Sequence, residues 1–305
     1  MESQSLTTEE IAAYTIKTGI KKVNRTTRQQ FLLAILAGAF VSLGAIASNT
    51  AVHDISSVGM AKVISGLVFP VGLFMIVIAG ADLFTGNCLI SMAVLEKKVS
   101  FKKMVRNLTI VYIGNMIGAL LFAAMEYNSG LFELSGGALG GYHIKTAVYK
   151  TGIPFGRAVI LGIMCNIVVC VAIWMMYAAK DVTGKILAGF FPIFAFVISG
   201  FEHSIANMYY IPAGILAKSN PMFVEYSKVS QEGLSTLTWQ SFFVNNLIPV
   251  TIGNIIGGAV FVSGIYWVIT TKKKVVERVL VAEVKEEAKE SYVNVVASPG
   301  NPKIV

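Results

Sequence analysis

The stretch GFEHSIANMYYIP, residues 200–212, sets Glu202 beside His203 at the end of an apolar run, Ile186 to Phe201, that holds no charged residue. Histidine has an ordinary pKa of about 6.5, so it can gain or lose a proton near neutral pH. A second polar stretch, ADLFTGN at 81–87, interrupts another apolar run and sets Asp82 five residues before Asn87. Glu202 stands the same five residues before Asn207. Ionisable side chains inside apolar segments are functional candidates by default. The plainer alternative is that Glu202 and His203 end a span in headgroup water. The chemistry on offer is proton exchange with, and hydrogen bonding to, a small solute. Paired carboxylates, a metal-ligand cluster and a nucleophile motif are not apparent, so neither an enzyme nor a bound metal or cofactor is expected.

The elements that must carry these residues follow from composition. The chain has 305 residues, 55% of them hydrophobic and 14% charged. Soluble domains carry about 25% charged residues, so lipid is the expected solvent. The net charge of +8 is spread between apolar blocks rather than gathered on one face, which argues against nucleic-acid binding. Cys88, Cys165 and Cys170 lie in apolar stretches without metal-ligand spacing and read as small buried hydrophobes. No secretion signal precedes the first apolar segment.

A membrane helix needs about 20 apolar residues. Six candidates are present, at 31–52, 62–95, 108–126, 155–178, 186–217 and 242–270. The second and fifth are broken, at 81–87 and 201–208. Lysine and arginine crowd residues 1–30, the loop after the second span, the loop after the fourth and the stretch after the sixth, which places both termini in the cytoplasm. The chain divides into an amphipathic segment at 1–30, a channel domain at 31–271 and a cytoplasmic, partly disordered tail at 272–305. Residues 6–23, with Leu6, Ile11, Tyr14, Thr18 and Val23 on one face, either lie in the membrane interface or cover the inner pore mouth.

The two halves share landmarks. GNMIGAL at 114–120 recurs as GNIIGGA at 253–259, and each half holds one broken span. Three spans reverse the chain, so the second copy is inverted. Inverted repeats with one discontinuous helix each are a transport signature. Backbone freed at the breaks is tolerated only beside protein or a water-filled path. The expected fold is an all-α membrane protein of six transmembrane helices, two of them broken, built as three plus three.

AGADLFTGN at 79–87, GIMCNIVVCVA at 162–172, FEHSIANMYYIP at 201–212 and NNLIPVTIGNIIGG at 245–258 resemble the signature segments of the formate/nitrite transporter family. The resemblance covers about 30 to 270. It implies an aquaporin-like protomer with its own pore, assembled as a homopentamer. It places His203 at the pore centre, Thr85 facing it, Asn166 in the fourth span and Lys150 in a basic vestibule. Its hydrophobic constrictions fall on Phe69, Leu73, Leu83, Phe84, Val169 and Phe196. Formate is the cargo it favours, with nitrite and hydrosulfide as alternatives.

For an anion these residue types make sense. A bare anion pays heavily to enter an apolar constriction. Lys150 draws it in, half-helix N-termini offer N–H donors, and His203 can hand it a proton so that the neutral acid passes. Thr85 orients the imidazole or the solute, and Asn166 adds a polar contact. Glu202, Asn207 and Asn87 are secondary candidates. An aquaporin-like pore for neutral solutes would carry Asn-Pro-Ala at the breaks; LFTGN and HSIAN stand there instead. A sensor without transport would leave the paired breaks unexplained. His53 and His143 are expected in loops, as solvated residues.

Overall fold

A computed structural model describes residues 5–270; the tail expected at 272–305 lies outside the described residues. The first half runs α1 Thr8–Asn24, α2 Thr27–Val52, α3 Val58–Val68, α4 Val71–Ala79, α5 Phe84–Asn87, a 3-10 turn Cys88–Ile90, α6 Ser91–Leu95 and α7 Phe101–Asn128. The second runs α8 Leu134–Thr151, α9 Phe155–Ala178, α10 Val182–Ser199, α11 Ser204–Ala217, the short α12 Pro221–Ser227 and α13 Gln231–Thr236, and a last span, Trp239–Thr270. That span comprises α14 Trp239–Ser241, α15 Ile248–Ile255 and α16 Ser263–Thr270, joined by two π-helical stretches. No β-strand occurs among the described residues, and six helices are long and apolar enough to cross a membrane. The chain folds as a multi-pass, all-α membrane protein.

Glycine ends both half-helices that lead into the breaks. Gly80 (φ 86°) caps α4 and Gly200 (φ 70°) caps α10, each in the left-handed region where a side chain would be strained. Within each half the spans meet at matching close contacts. α2 packs along α7, and α9 along α15. A Cβ at Gly118 would run into the Ile35 carbonyl, and one at Gly257 into the Ile163 carbonyl. Small residues thus let these helix backbones meet, as in other membrane bundles.

Two expectations change. Residues 134–151 form a helix, α8, whose first turn is irregular, with Ser135, Gly136 and Gly137 all at positive φ. His143 is therefore not a loop residue: it is fully buried within α8. His53 caps α2, half-buried, with Nδ1 against the Thr50 carbonyl and Nε2 2.8 Å from Ser135 Oγ. α1, opened by a Thr7–Glu10 capping box, does not lie free at an interface. It buries Ile11, Ala12, Thr15 and Ile16 against α6, α9 and α16, and Tyr14 turns to edge onto Tyr177.

Candidate functional site

The breaks meet at one contact. Thr85, in α5, and His203, just before α11, are both buried, with Thr85 Oγ1 2.9 Å from His203 Nε2. His203 is also the N-cap of α11, its Nδ1 accepting the Ala206 N–H at 3.0 Å. A capping side chain normally uses an oxygen for this task. The bond fixes the tautomer of the neutral ring. Nδ1 holds the accepting lone pair, so Nε2 carries the proton and donates it to Thr85 Oγ1. The Thr85 hydroxyl hydrogen stays free to meet a solute.

The freed backbone around each break is sealed by an asparagine from a neighbouring span. Phe84 N–H donates to Asn115 Oδ1 at 2.9 Å, while Asn115 Nδ2 donates to the carbonyls of Ala34 and Asp82. In the second half, Ser204 N–H donates to Asn254 Oδ1 at 2.9 Å, and Asn254 Nδ2 donates to the carbonyls of Gly162 and Glu202. These satisfy polar groups that lipid could not. The GN of each glycine-rich repeat is the sequence signal that could have marked both asparagines.

In each half the residue whose carbonyl is sealed, two positions before the sealed N–H, also carries a buried carboxylate. Asp82 binds Arg25 and, at 3.1 Å, Lys22; Lys22 also donates to Asn87 Oδ1, and Asn87 donates to Asn107. Glu202 takes Lys150 on Oε1 at 2.8 Å; its Oε2 accepts from Asn207 at 2.6 Å and Asn246 at 3.3 Å. Lys22 and Arg25 were counted only as orienting charges in the sequence; Asn107, one residue before the third span, carried no signal, and Asn246 stood within the NNLIPVTIGNIIGG segment without a role of its own. Lys150 stands in α8 rather than a loop, 5.2 Å above the Tyr210 ring, where it adds a cation–π contact.

Two spaces flank His203. One, of about 490 Å³, is lined by Lys62, Lys145, Lys150, Glu202, Asn207 and Tyr210 among others. The other, of about 20 Å³, is lined by Leu73, Leu83, Val169 and their apolar neighbours. Phe69, Phe196 and His203 border both. The rings of Phe69 and Phe196 meet edge-to-face at 5.8 Å, and Phe196 lies 6.0 Å from the imidazole. The geometry is a basic vestibule closed by an aromatic pair, then a near-dry apolar slot. Phe84 lines neither space; its ring edges onto Tyr112 at 4.8 Å. Asn166 acts from behind, its Nδ2 donating to the Thr85 and Asn254 carbonyls. Cys88 and Cys170 press on the same turn as buried free thiols, and Cys165 is buried as well.

A family model described as Formate/nitrite transporter matches residues 9–268. The chain is 40% identical over 255 residues to "Formate channel FocA" of Escherichia coli (strain K12), covering 82% of this chain and 90% of that protein. It is 39% identical over 264 residues to "Formate channel FocA" of Haemophilus influenzae, covering 85% of this chain and 93% of that one. A solved structure, "Pentameric formate channel with formate bound", superposes with a TM-score of 0.72 at 37% identity, covering 81% of this chain and 98% of that one. Six spans, two sealed breaks and a buried histidine between vestibule and apolar slot agree with these matches: the chain belongs to the formate/nitrite transporter family.

Proposed function

We propose that this protein is a homopentameric formate channel of the cell membrane, with one pore per protomer and both termini in the cytoplasm, and that formate and a proton meet at His203. The observation that carries the reading is the placement of His203 and Thr85 where the basic vestibule gives way to the apolar slot. The vestibule lysines favour the anion; the slot admits little but a neutral molecule. Formate becomes such a molecule by taking up one proton. The pentamer and the cargo are supported by the printed descriptions of the relatives, and the orientation by the distribution of basic residues.

The resting ring has one free lone pair, on Nδ1, and α11 uses it. A proton arriving at His203 must displace the Ala206 N–H and set a cation against a helix N-terminus, which is unfavourable. An anion held at Thr85 and Nε2 offsets that cost. The imidazolium then gives its Nε2 proton to the carboxylate, leaving a neutral ring and neutral formic acid. Return of the ring proton from Nδ1 to Nε2 recaps α11. Charging of the histidine is thereby tied to the presence of cargo.

The test is flux into proteoliposomes of formate, nitrite and hydrosulfide, side by side, for the wild type and His203→Phe. Saturable formate flux that exceeds the other two and collapses in the variant is the expected result. Faster nitrite or hydrosulfide flux would reassign the cargo. Absence of flux for all three would overturn the proposal.

A further inference from the structure

The polar framework of this protein is written twice. Asp82 matches Glu202, Asn87 matches Asn207, Lys22 matches Lys150, Asn107 matches Asn246 and Asn115 matches Asn254: in each half a lysine meets the carboxylate, one asparagine amide donates to a second asparagine, and a third asparagine seals the backbone, while Arg25 on Asp82 has no counterpart on Glu202. Residues present in both halves serve what both need, the sealing of a broken helix. Residues present in one half serve something the halves do not share. The constant shift that carries Gly80 to Gly200 aligns Leu83 with His203 and Thr85 with Ile205. The shift that carries Ile35 to Ile163 aligns Gly38 with Asn166. The residues that break the symmetry near the centre are thus the three polar ones around the contact of the breaks.

A second set breaks it too. Glu126 of α7 is buried near the end of its helix, where the helix dipole disfavours a negative charge. Tyr209 of α11 donates to its Oε2 at 2.5 Å. His143 Nε2 lies 3.3 Å from its Oε1, and these two atoms have no other partner. Asn49 of α2 points its Nδ2 at His143 Nδ1, 3.3 Å away, so the ring proton sits on Nε2 and faces the carboxylate. Phe132, itself buried, stacks on the imidazole at 4.3 Å. The matching positions in the other half are Ile265 for Glu126, Leu89 for Tyr209 and Tyr177 for Asn49, none of them charged. The position matching His143 falls in α1 at Thr15 or Ile16, again without charge.

One member of the set, Asn49, lines the vestibule, and two others stand on helices that border it. His143 and Lys150 stand two helical turns apart on one face of α8. Tyr209 stands on α11, the helix that begins at His203. We propose that Asn49, Glu126, His143 and Tyr209 form a positioning network that fixes α8 and α11 to one another and so sets where Lys150 presents its charge to the entering anion. The consequence for transport rests on the proposed anion path; the geometric consequence does not.

Two readouts separate these. Tyr209→Phe removes one hydroxyl from a buried ring, and Glu126→Gln removes the acceptor charge. Each is expected to raise the half-saturating formate concentration about 3- to 10-fold while the maximal rate falls less than about twofold, an effect on the order of 1 kcal/mol. The second readout uses Lys150→Cys, whose thiolate attacks a negatively charged methanethiosulfonate to form a mixed disulfide and release methanesulfinate; the native cysteines are buried and do not compete. Adding Tyr209→Phe is expected to change the labelling rate at least threefold. Unchanged labelling would overturn the inference whatever the flux, and keeps the test open should Glu126→Gln fail to fold. Changed labelling in a protein that moves no anion would uphold the network and overturn the transport reading alone.

Discussion

Lys150→Met isolates the electrostatics of the vestibule. The ammonium sits 2.8 Å from Glu202 Oε1, with the two side chains 13% and 2% exposed. At an effective dielectric constant of about 20, the direct attraction at such a separation is about 6 kcal/mol before desolvation is subtracted. Methionine keeps the length and removes the charge. Glu202 then retains its two amide donors, both on Oε2, and Oε1 is left without its cation. Removing one partner of a buried pair costs about 3–5 kcal/mol, and the surviving amides put this case at the low end of that range. The double variant Lys150→Met/Glu202→Gln removes the orphan charge and should recover at least half of the loss. The assay is unfolding of each variant in mixed micelles, read as a four-member cycle, with formate uptake measured on the same preparations. Uptake at low formate should stay depressed in the double variant, because capture needs the lysine whereas folding needs only neutrality. A single variant as stable as the wild type would refute the reasoning, as would a double variant no more stable than Lys150→Met.

Other perturbations address other parts of the architecture. Thr85→Val keeps the shape but leaves the His203 Nε2–H without its acceptor; a loss of about 1–3 kcal/mol and a drop in formate flux of at least tenfold are expected, checked by denaturation and uptake. Asp82→Asn weakens the anchor for Lys22 and Arg25; limited proteolysis should then cut within residues 8–24 faster than in the wild type, whereas Glu202→Gln should leave that rate unchanged. Gly118→Val drives a branched side chain into the Ile35 carbonyl; overpacking of this kind costs about 1–3 kcal/mol or more, and the yield of folded oligomer in gel filtration should fall sharply.

Sequence and structure agree where the signal is periodic or repeated. The six spans, the two interruptions and the duplicated glycine-asparagine motif all stand out against an apolar background, because lipid leaves a chain few alternatives. The pairing of Thr85 with His203 and the lining set of Phe69, Leu73, Leu83, Val169 and Phe196 came from family resemblance, since nothing in a lone phenylalanine distinguishes a constriction from packing. α8 was missed because LSGGALGGYHIKTAVYK mixes glycine, polar and apolar residues, and its helix is stabilised by burial against α11 and α12 rather than by its own propensity. His143 was misplaced with it. The roles of Lys22 and Arg25 were hidden because the same residues satisfy the positive-inside rule, and one charge cannot announce two purposes. The bonds of Asn107 and Asn246 to Asn87 and Asn207 depend on contacts between spans that no local pattern encodes.

The central claim is that a proton enters with each formate and passes through His203. It is tested most directly by trapping a pH-sensitive dye inside proteoliposomes and following lumenal pH together with labelled formate after an inward formate step at slightly acidic external pH. Lumenal acidification that keeps pace with formate entry, rises as external pH falls, and is lost together with uptake in His203→Phe is the predicted result. Formate entry that charges the membrane without acidifying the lumen, or acidification preserved in His203→Phe, would contradict it.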